Sequence, residues 1–298
     1  MNFKNKLRFP KSLVAIFSVV VISISCLVFH GCSEDADIFE TNSKFVNPLD
    51  FIGQTHNQGL EYIFKNLETS GNGLKSAQNN EAKMISLTND FLKTLPKESI
   101  LFNSQIDYKE LGNSMFHKVS DSKLKSASIG LSPEQKYFVD ELKIMIKKNI
   151  KKKDFERIFE DVAELEERVW NSNMTDDEKY IVLVATSVGK YSSNFWSQKK
   201  MKKNNIPRLK SATTEDDDWF DEDAWYDWVG GAVDADIEGS ITGAIAGGIV
   251  GGIWGSVLLP GVGTITASIV EAVHGGFYGA VIGSAWYGFE SLYDSIFN

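Results

Sequence analysis

Between Gly239 and Phe289 the only acidic or basic residues are Glu271 and His274. Three residues apart, they share one face of a helix. A carboxylate carried to bilayer depth costs roughly 2.5 to 3.5 kcal/mol, and a partner or a proton lowers that cost. The two residues therefore read either as a pH-sensitive pair that eases insertion in acid or as two groups that stay wet at an interface. His56 stands beside Asn57, but no nucleophile or acid lies at a recognisable spacing from it, which points to a structural histidine. The other histidines, His30 and His117, are scattered, and no HExxH, GxSxG or phosphate-binding glycine loop is present. Cys26 and Cys32 are the only cysteines, so a chain cut at Cys32 keeps one and has no disulfide framework, thiol chemistry or cysteine metal site. The expectation is a protein that is not an enzyme and carries no cofactor or metal.

The apolar stretch that holds Glu271 and His274 has a period of four. Gly239, Gly243, Gly247, Gly251 and Gly255 form one column, and Gly275, Gly279 and Gly283 another after the turn-like Pro260-Gly261-Val262-Gly263. A period of four is helical, and such columns make grooves in which another backbone approaches closely. Seven glycines fall between Gly239 and Gly255 inclusive. Each costs roughly 1 kcal/mol against alanine in a water-exposed helix. The stretch must therefore pack tightly or enter lipid. Ile241 to Leu259 is nineteen residues without a charge, roughly 28 Å as a helix and close to a bilayer's hydrocarbon thickness. This predicts a glycine-zipper helical hairpin that meets a lipid bilayer or associates with itself through its glycine faces.

At the other end, Lys4, Lys6, Arg8 and Lys11 precede an apolar run from Leu13 to Phe29 that leads to Gly31-Cys32, the layout of a secretory signal. The stretch resembles a bacterial lipoprotein signal, which implies lipidation of Cys32; Phe29 and His30 depart from the usual residues, and Cys26 is the weaker alternative. The acidic run Ser33-Glu34-Asp35-Ala36-Asp37 resembles the surface-export signal of Bacteroidota lipoproteins. That resemblance implies an outer-membrane lipoprotein, surface-exposed, and implies no activity.

The middle of the chain reads as helices. Phe51 to Leu67, Asn80 to Leu95 and Gln105 to Val119 carry helical spacing. Ser132-Pro133-Glu134-Gln135 and Thr175-Asp176-Asp177-Glu178 are capping boxes. They start helices to about Ile150 and to Trp196, with a third over Asp154 to Trp170 between them. Short connections predict an antiparallel bundle. Leu-Lys-Ser-Ala recurs around Lys75, Lys125 and Lys210, each in a polar stretch suited to proteolytic processing, with coincidence as the alternative. After Lys210 an acidic run is interleaved with Trp219, Phe220, Trp225, Tyr226 and Trp228, an interfacial anchor or a latch onto the bundle. Gly230-Gly231 resembles the cleavage site of bacteriocin leaders but reads as a loop so deep in the chain. With a net charge of −9 in an exported chain, nucleic acid is not an expected partner.

Asn47-Pro48-Leu49-Asp50-Phe51, His56-Asn57-Gln58-Gly59-Leu60 and Ala185-Thr186-Ser187 resemble a family of Bacteroidota lipoproteins with glycine-rich C-terminal ends. The zipper pattern resembles pore-forming, bacteriocin-like peptides and glycine-zipper envelope lipoproteins. The expected fold is all-α, a small helical bundle plus a C-terminal glycine-zipper helical hairpin. Its parts are a signal peptide over 1–31, a disordered acidic tether over 32–46, a helical domain over 47–198, a charged and aromatic linker over 199–236 and the hairpin over 237–298. Two functions are expected: a hairpin that inserts into or permeabilises a membrane, or a structural envelope lipoprotein whose hairpin mediates packing or oligomerisation.

Overall fold

A computed structural model describes residues 45–69, 77–96, 99, 101, 130–198, 222–250, 257–259, 263–265 and 267–297. Among them the chain forms seven α-helices: α1 (Asp50–Thr69), α2 (Ala77–Thr94), α3 (Pro133–Lys151), α4 (Phe155–Trp170), α5 (Asp176–Gln198), α6 (Glu222–Val250) and α7 (Ala267–Phe297). Two three-residue strands, β1 (Val257–Leu259) and β2 (Gly263–Ile265), pair antiparallel between α6 and α7. The fold is all-α, as the periodicity predicts. The expected helix Gln105 to Val119 lies outside the described residues.

The helix starts follow from capping chemistry. The Ser132 hydroxyl accepts the Gln135 amide, the Gln135 side chain accepts the Ser132 amide, and Pro133 opens the helix. Thr175 and Glu178 repeat the arrangement for α5. Asp154 accepts the Arg157 amide at 3.1 Å and opens α4. Helices α3, α4 and α5 pack as an antiparallel series, with Arg168 to Glu141 and Asn149 to Asp161 tying α3 to α4, and Thr186 to Glu166 tying α5 to α4.

The C-terminal half differs from the expectation in three ways. First, α6 begins at Glu222, so the described part of the expected linker is already helix, and Gly230-Gly231 lies inside it rather than in a loop. The reason is amphipathicity: Asp223, Asp227 and Asp234 face solvent while Trp225, Val229, Ala232 and Val233 are buried. Second, the uncharged run Ile241 to Leu259 is not one helix, because α6 ends at Val250 and Val257–Leu259 is strand. Pro260-Gly261 favours a turn, and the β-branched Val257, Thr264 and Ile265 suit a paired ladder around it. Third, the hairpin and the helices before it belong to one compact unit, Thr41–Asn298.

Helix α7 runs through the middle of that unit. Every residue from Ile269 to Ala285 is buried, and α1, α2, α5 and α6 all pack against it. Phe277 and Tyr278 are the largest fully buried side chains. Tyr278 donates its hydroxyl to Asn89 Oδ1 at 2.8 Å, and Phe277 stacks on Phe91 with ring centroids 6.3 Å apart.

Candidate functional site

The predicted glycine columns meet each other. A Cβ added at Gly239 would lie 2.3 Å from the Gly279 carbonyl oxygen, and one at Gly279 would lie 2.1 Å from the Gly239 carbonyl oxygen. One at Gly275 would lie 2.1 Å from the carbonyl of Gly243, and one at Gly247 would lie 2.0 Å from that of Glu271. Gly283 faces the carbonyl of Ala235 at 2.8 Å by the same measure. In each case the obstacle is backbone, which cannot swing away as a side chain can. Helices α6 and α7 therefore run antiparallel at a separation that glycine alone permits. Gly251 and Gly255 lie outside the described residues.

Where this hairpin meets the helices around it, four elements contribute to one buried polar cluster. Asp236 comes from α6, Ser192 and Trp196 from α5, His56 from α1 and Ser284 from α7; Asp236, Ser192, His56 and Ser284 have no exposed surface. Asp236 Oδ2 accepts hydrogen bonds from Ser192 Oγ and, at 3.0 Å, from Trp196 Nε1. His56 Nε2 lies 3.2 Å from Ser284 Oγ and 3.9 Å from Asp236 Oδ2, and Nδ1 lies 3.1 Å from Asn57 Oδ1. Asp236 Oδ1 has no hydrogen-bond partner among the described residues. Burial pushes the Asp236 carboxyl well above the usual carboxylate range, against the hydrogen bonds from Ser192 and Trp196. Burial pulls His56 down to about 4, against its contact with Asn57.

Serine, histidine and aspartate invite comparison with a hydrolytic triad. In a triad the serine and the carboxylate occupy opposite ring nitrogens. Here both lie on Nε2, and the cluster is closed to solvent. Its chemistry is that of a clasp, with polar groups from α1 and α5 holding α6 and α7. The spacing of Val229, Val233, Asp236 and Ser240 holds the clue to Asp236. All four stand at helical intervals and all are buried, so a carboxylate occupies an inward-facing position.

A second buried network lies a turn away on α5. Lys190 Nζ lies 2.7 Å from Asp50 Oδ1 and 3.2 Å from Glu166 Oε2. Glu166 Oε1 also accepts from Asn47 Nδ2 at 2.7 Å and from Thr186 Oγ1 at 2.9 Å. One ammonium thus faces two carboxylates. Burial pushes Asp50 up to about 6, with Lys190 pulling down and Glu166 adding to the rise. Burial works against the Lys190 charge, but Glu166 and Asp50 outweigh it and hold Lys190 at about 12. Sequence reasoning missed this group because Asn47 and Asp50 stand more than a hundred residues before Glu166, Thr186 and Lys190.

Glu271 and His274 are both buried, at 7% and 3% exposure, and are not wet groups at an interface. His274 Nδ1 donates to the Val270 carbonyl at 2.7 Å, and burial lowers its pKa to about 4. Burial raises the pKa of Glu271, whose Oε1 has no hydrogen-bond partner among the described residues. Of the aromatic lead-in, Trp225 and Trp228 stack at 5.2 Å and pack inward, with Trp228 edge-on to Trp196 at 5.2 Å. They form the latch rather than an outward-facing anchor. Cys32, Lys75, Lys125 and Lys210 lie outside the described residues. Among the described residues no group of three or more histidines, cysteines or carboxylates is placed to hold a metal. Among them, too, no helix is long and apolar enough to cross a membrane. Comparison with protein families, with curated proteins and with solved structures finds no match for this chain.

Proposed function

We propose that this protein is an exported lipoprotein, anchored through Cys32 to the outer membrane, that carries a membrane-permeabilising hairpin in a sheathed form. One contrast carries the reading. The backbone-to-backbone contacts of the glycine columns lie within the α6–α7 hairpin, whereas its hold on α1 and α5 runs through side chains and the His56–Asp236 clasp. The hairpin can therefore leave its sheath as a unit, without unzipping its tightest contacts. Its α7 strip from Ile269 to Ala285 is buried throughout and, apart from Glu271, His274 and the clasp residue Ser284, is made of apolar, aromatic and glycine residues. In lipid, the run Ile241 to Leu259 has to become continuous helix, because no backbone amide stays unpaired there.

A second reading has its own support. Gly239, Gly243 and Gly247 already fill the face of Gly275, Gly279 and Gly283. Packing inside one chain then accounts for the glycine pattern, as in a structural envelope lipoprotein.

Dye release from anionic vesicles separates the two. The expected result is release by residues 211–298 alone at roughly micromolar concentration, with weaker release by the whole mature chain. Silence from both would leave the packing reading standing.

A further inference from the structure

The outward face of α3 carries Tyr137, Ile144, Lys147, Lys148 and Lys151 at helical spacing. Tyr137 is 58% exposed and Ile144 70%, among the few large apolar side chains the described residues leave open. From Lys143 to Lys153 the chain has six lysines and no acid, within a protein of net charge −9. Lys143 is engaged by Asp234 and Glu238. Lys151 lies 3.7 Å from Asp227, both exposed, a pairing that water weakens. Lys147, Lys148 and Lys152 have no ion-pair partner among the described residues.

Beside this face a cavity of about 200 Å³ opens between α3 and α6, lined by Ile146, Val233 and Ile237 together with Lys143, Lys147 and Asp234. Gly230 lines it as well, and a Cβ there would meet nothing within 4 Å. We infer that this face of α3 docks the protein on an anionic lipid bilayer. The lysines meet headgroup charge, while Tyr137 and Ile144 enter the interface, where amphipathic apolar and basic side chains lie together. The long lysine stems reach past the apolar side chains to the headgroups. A nucleic acid would satisfy the lysines but leave Tyr137 and Ile144 uncovered. Only the purpose of docking rests on the permeabilising reading, since it brings α6 to the membrane; the binding itself does not.

The test is flotation of the mature chain carrying Cys32→Ser, so that no lipid anchor holds it to every vesicle alike, with vesicles of neutral lipid and with vesicles containing about 30 mol% anionic lipid. Binding is expected to the anionic vesicles alone and to weaken with salt. Replacing Lys147, Lys148 and Lys152 by Gln should weaken it on the order of a hundredfold, since each lysine near such a surface contributes about fivefold. Ile144→Ser should weaken it without any change of charge. A control with Lys65, Lys83 and Lys93 replaced by Gln has the same net charge and should bind as the parent does. Equal binding to neutral vesicles, equal weakening in the control, or binding to a DNA duplex with none to vesicles would each overturn the inference. Flotation and dye release fail separately: binding without release sinks permeabilisation alone, and release without binding through α3 sinks docking alone.

Discussion

His56 and Asp236 lie 3.9 Å apart and respond to pH with opposite sign. His56 has a folded pKa of about 4 against an ordinary 6.5, so its contribution is complete above pH 6.5 and is lost as pH falls towards 4. Asp236 is raised, so its contribution is present below its ordinary 3.8 and is lost as pH rises through its folded value. His274 sides with His56, while Asp50 and Glu271 side with Asp236. Acid therefore loosens the histidine contacts and tightens the carboxyl ones, and a simple acid trigger built on Glu271 and His274 does not follow. Urea titrations at pH 7 and pH 5 separate the contributions. His56→Gln should abolish a loss of about 2 kcal/mol between those values, and Asp236→Asn should abolish a gain. A His56→Gln profile parallel to that of the parent would mean that His56 is not held neutral in the fold. His56 was legible as structural from its isolation. Its partner was not, because Asp236 stands in an acidic run whose neighbours Asp234 and Asp227 are exposed.

The glycines of the α6–α7 hairpin have opposite roles. Gly279→Ala places a methyl group 2.1 Å from a carbonyl across the hairpin, and the two helices have to move apart to admit it. A loss of about 3 kcal/mol or more is expected. Gly230→Ala meets open space in a helix interior and should gain up to about 1 kcal/mol. Thermal unfolding of the two variants checks the pair, and similar shifts in both would contradict this hairpin geometry. The glycine columns, like the capping boxes at Ser132 and Thr175, were readable because each rests on local spacing. The start of α6 was hidden because its charged outer face reads as linker until the buried positions Val229, Val233 and Asp236 are aligned. The end of α6 was hidden because absence of charge says nothing about where a helix gives way to a β-turn.

At the scale of the whole molecule, hairpin and bundle share one core. Phe277 and Tyr278 of α7 meet Phe91, Asn89 and Ile85 of α2, and Gly276 lies against Val184 of α5. Removing the hairpin would expose the inner faces of α1, α2 and α5 together. The expected consequence in plain buffer is one cooperative transition, with helix content and tertiary packing lost at the same urea concentration. A hairpin that leaves first would instead give two transitions.

The aromatic latch makes that departure visible. Trp196 of α5 meets Trp228 of α6 edge-on, Trp225 stacks on Trp228, and Tyr287 of α7 lies 6.0 Å from Trp228. The backbone at Gly231 leaves room for the Tyr287 hydroxyl, since a Cβ there would lie 2.0 Å from it. Indole rings at such separations couple their electronic transitions, so the near-ultraviolet dichroism and emission of the unlabelled protein carry a term that depends on α5, α6 and α7 being together. The chain thus holds its own optical gauge of whether the hairpin is in its sheath, readable in buffer or on vesicles without any attached dye.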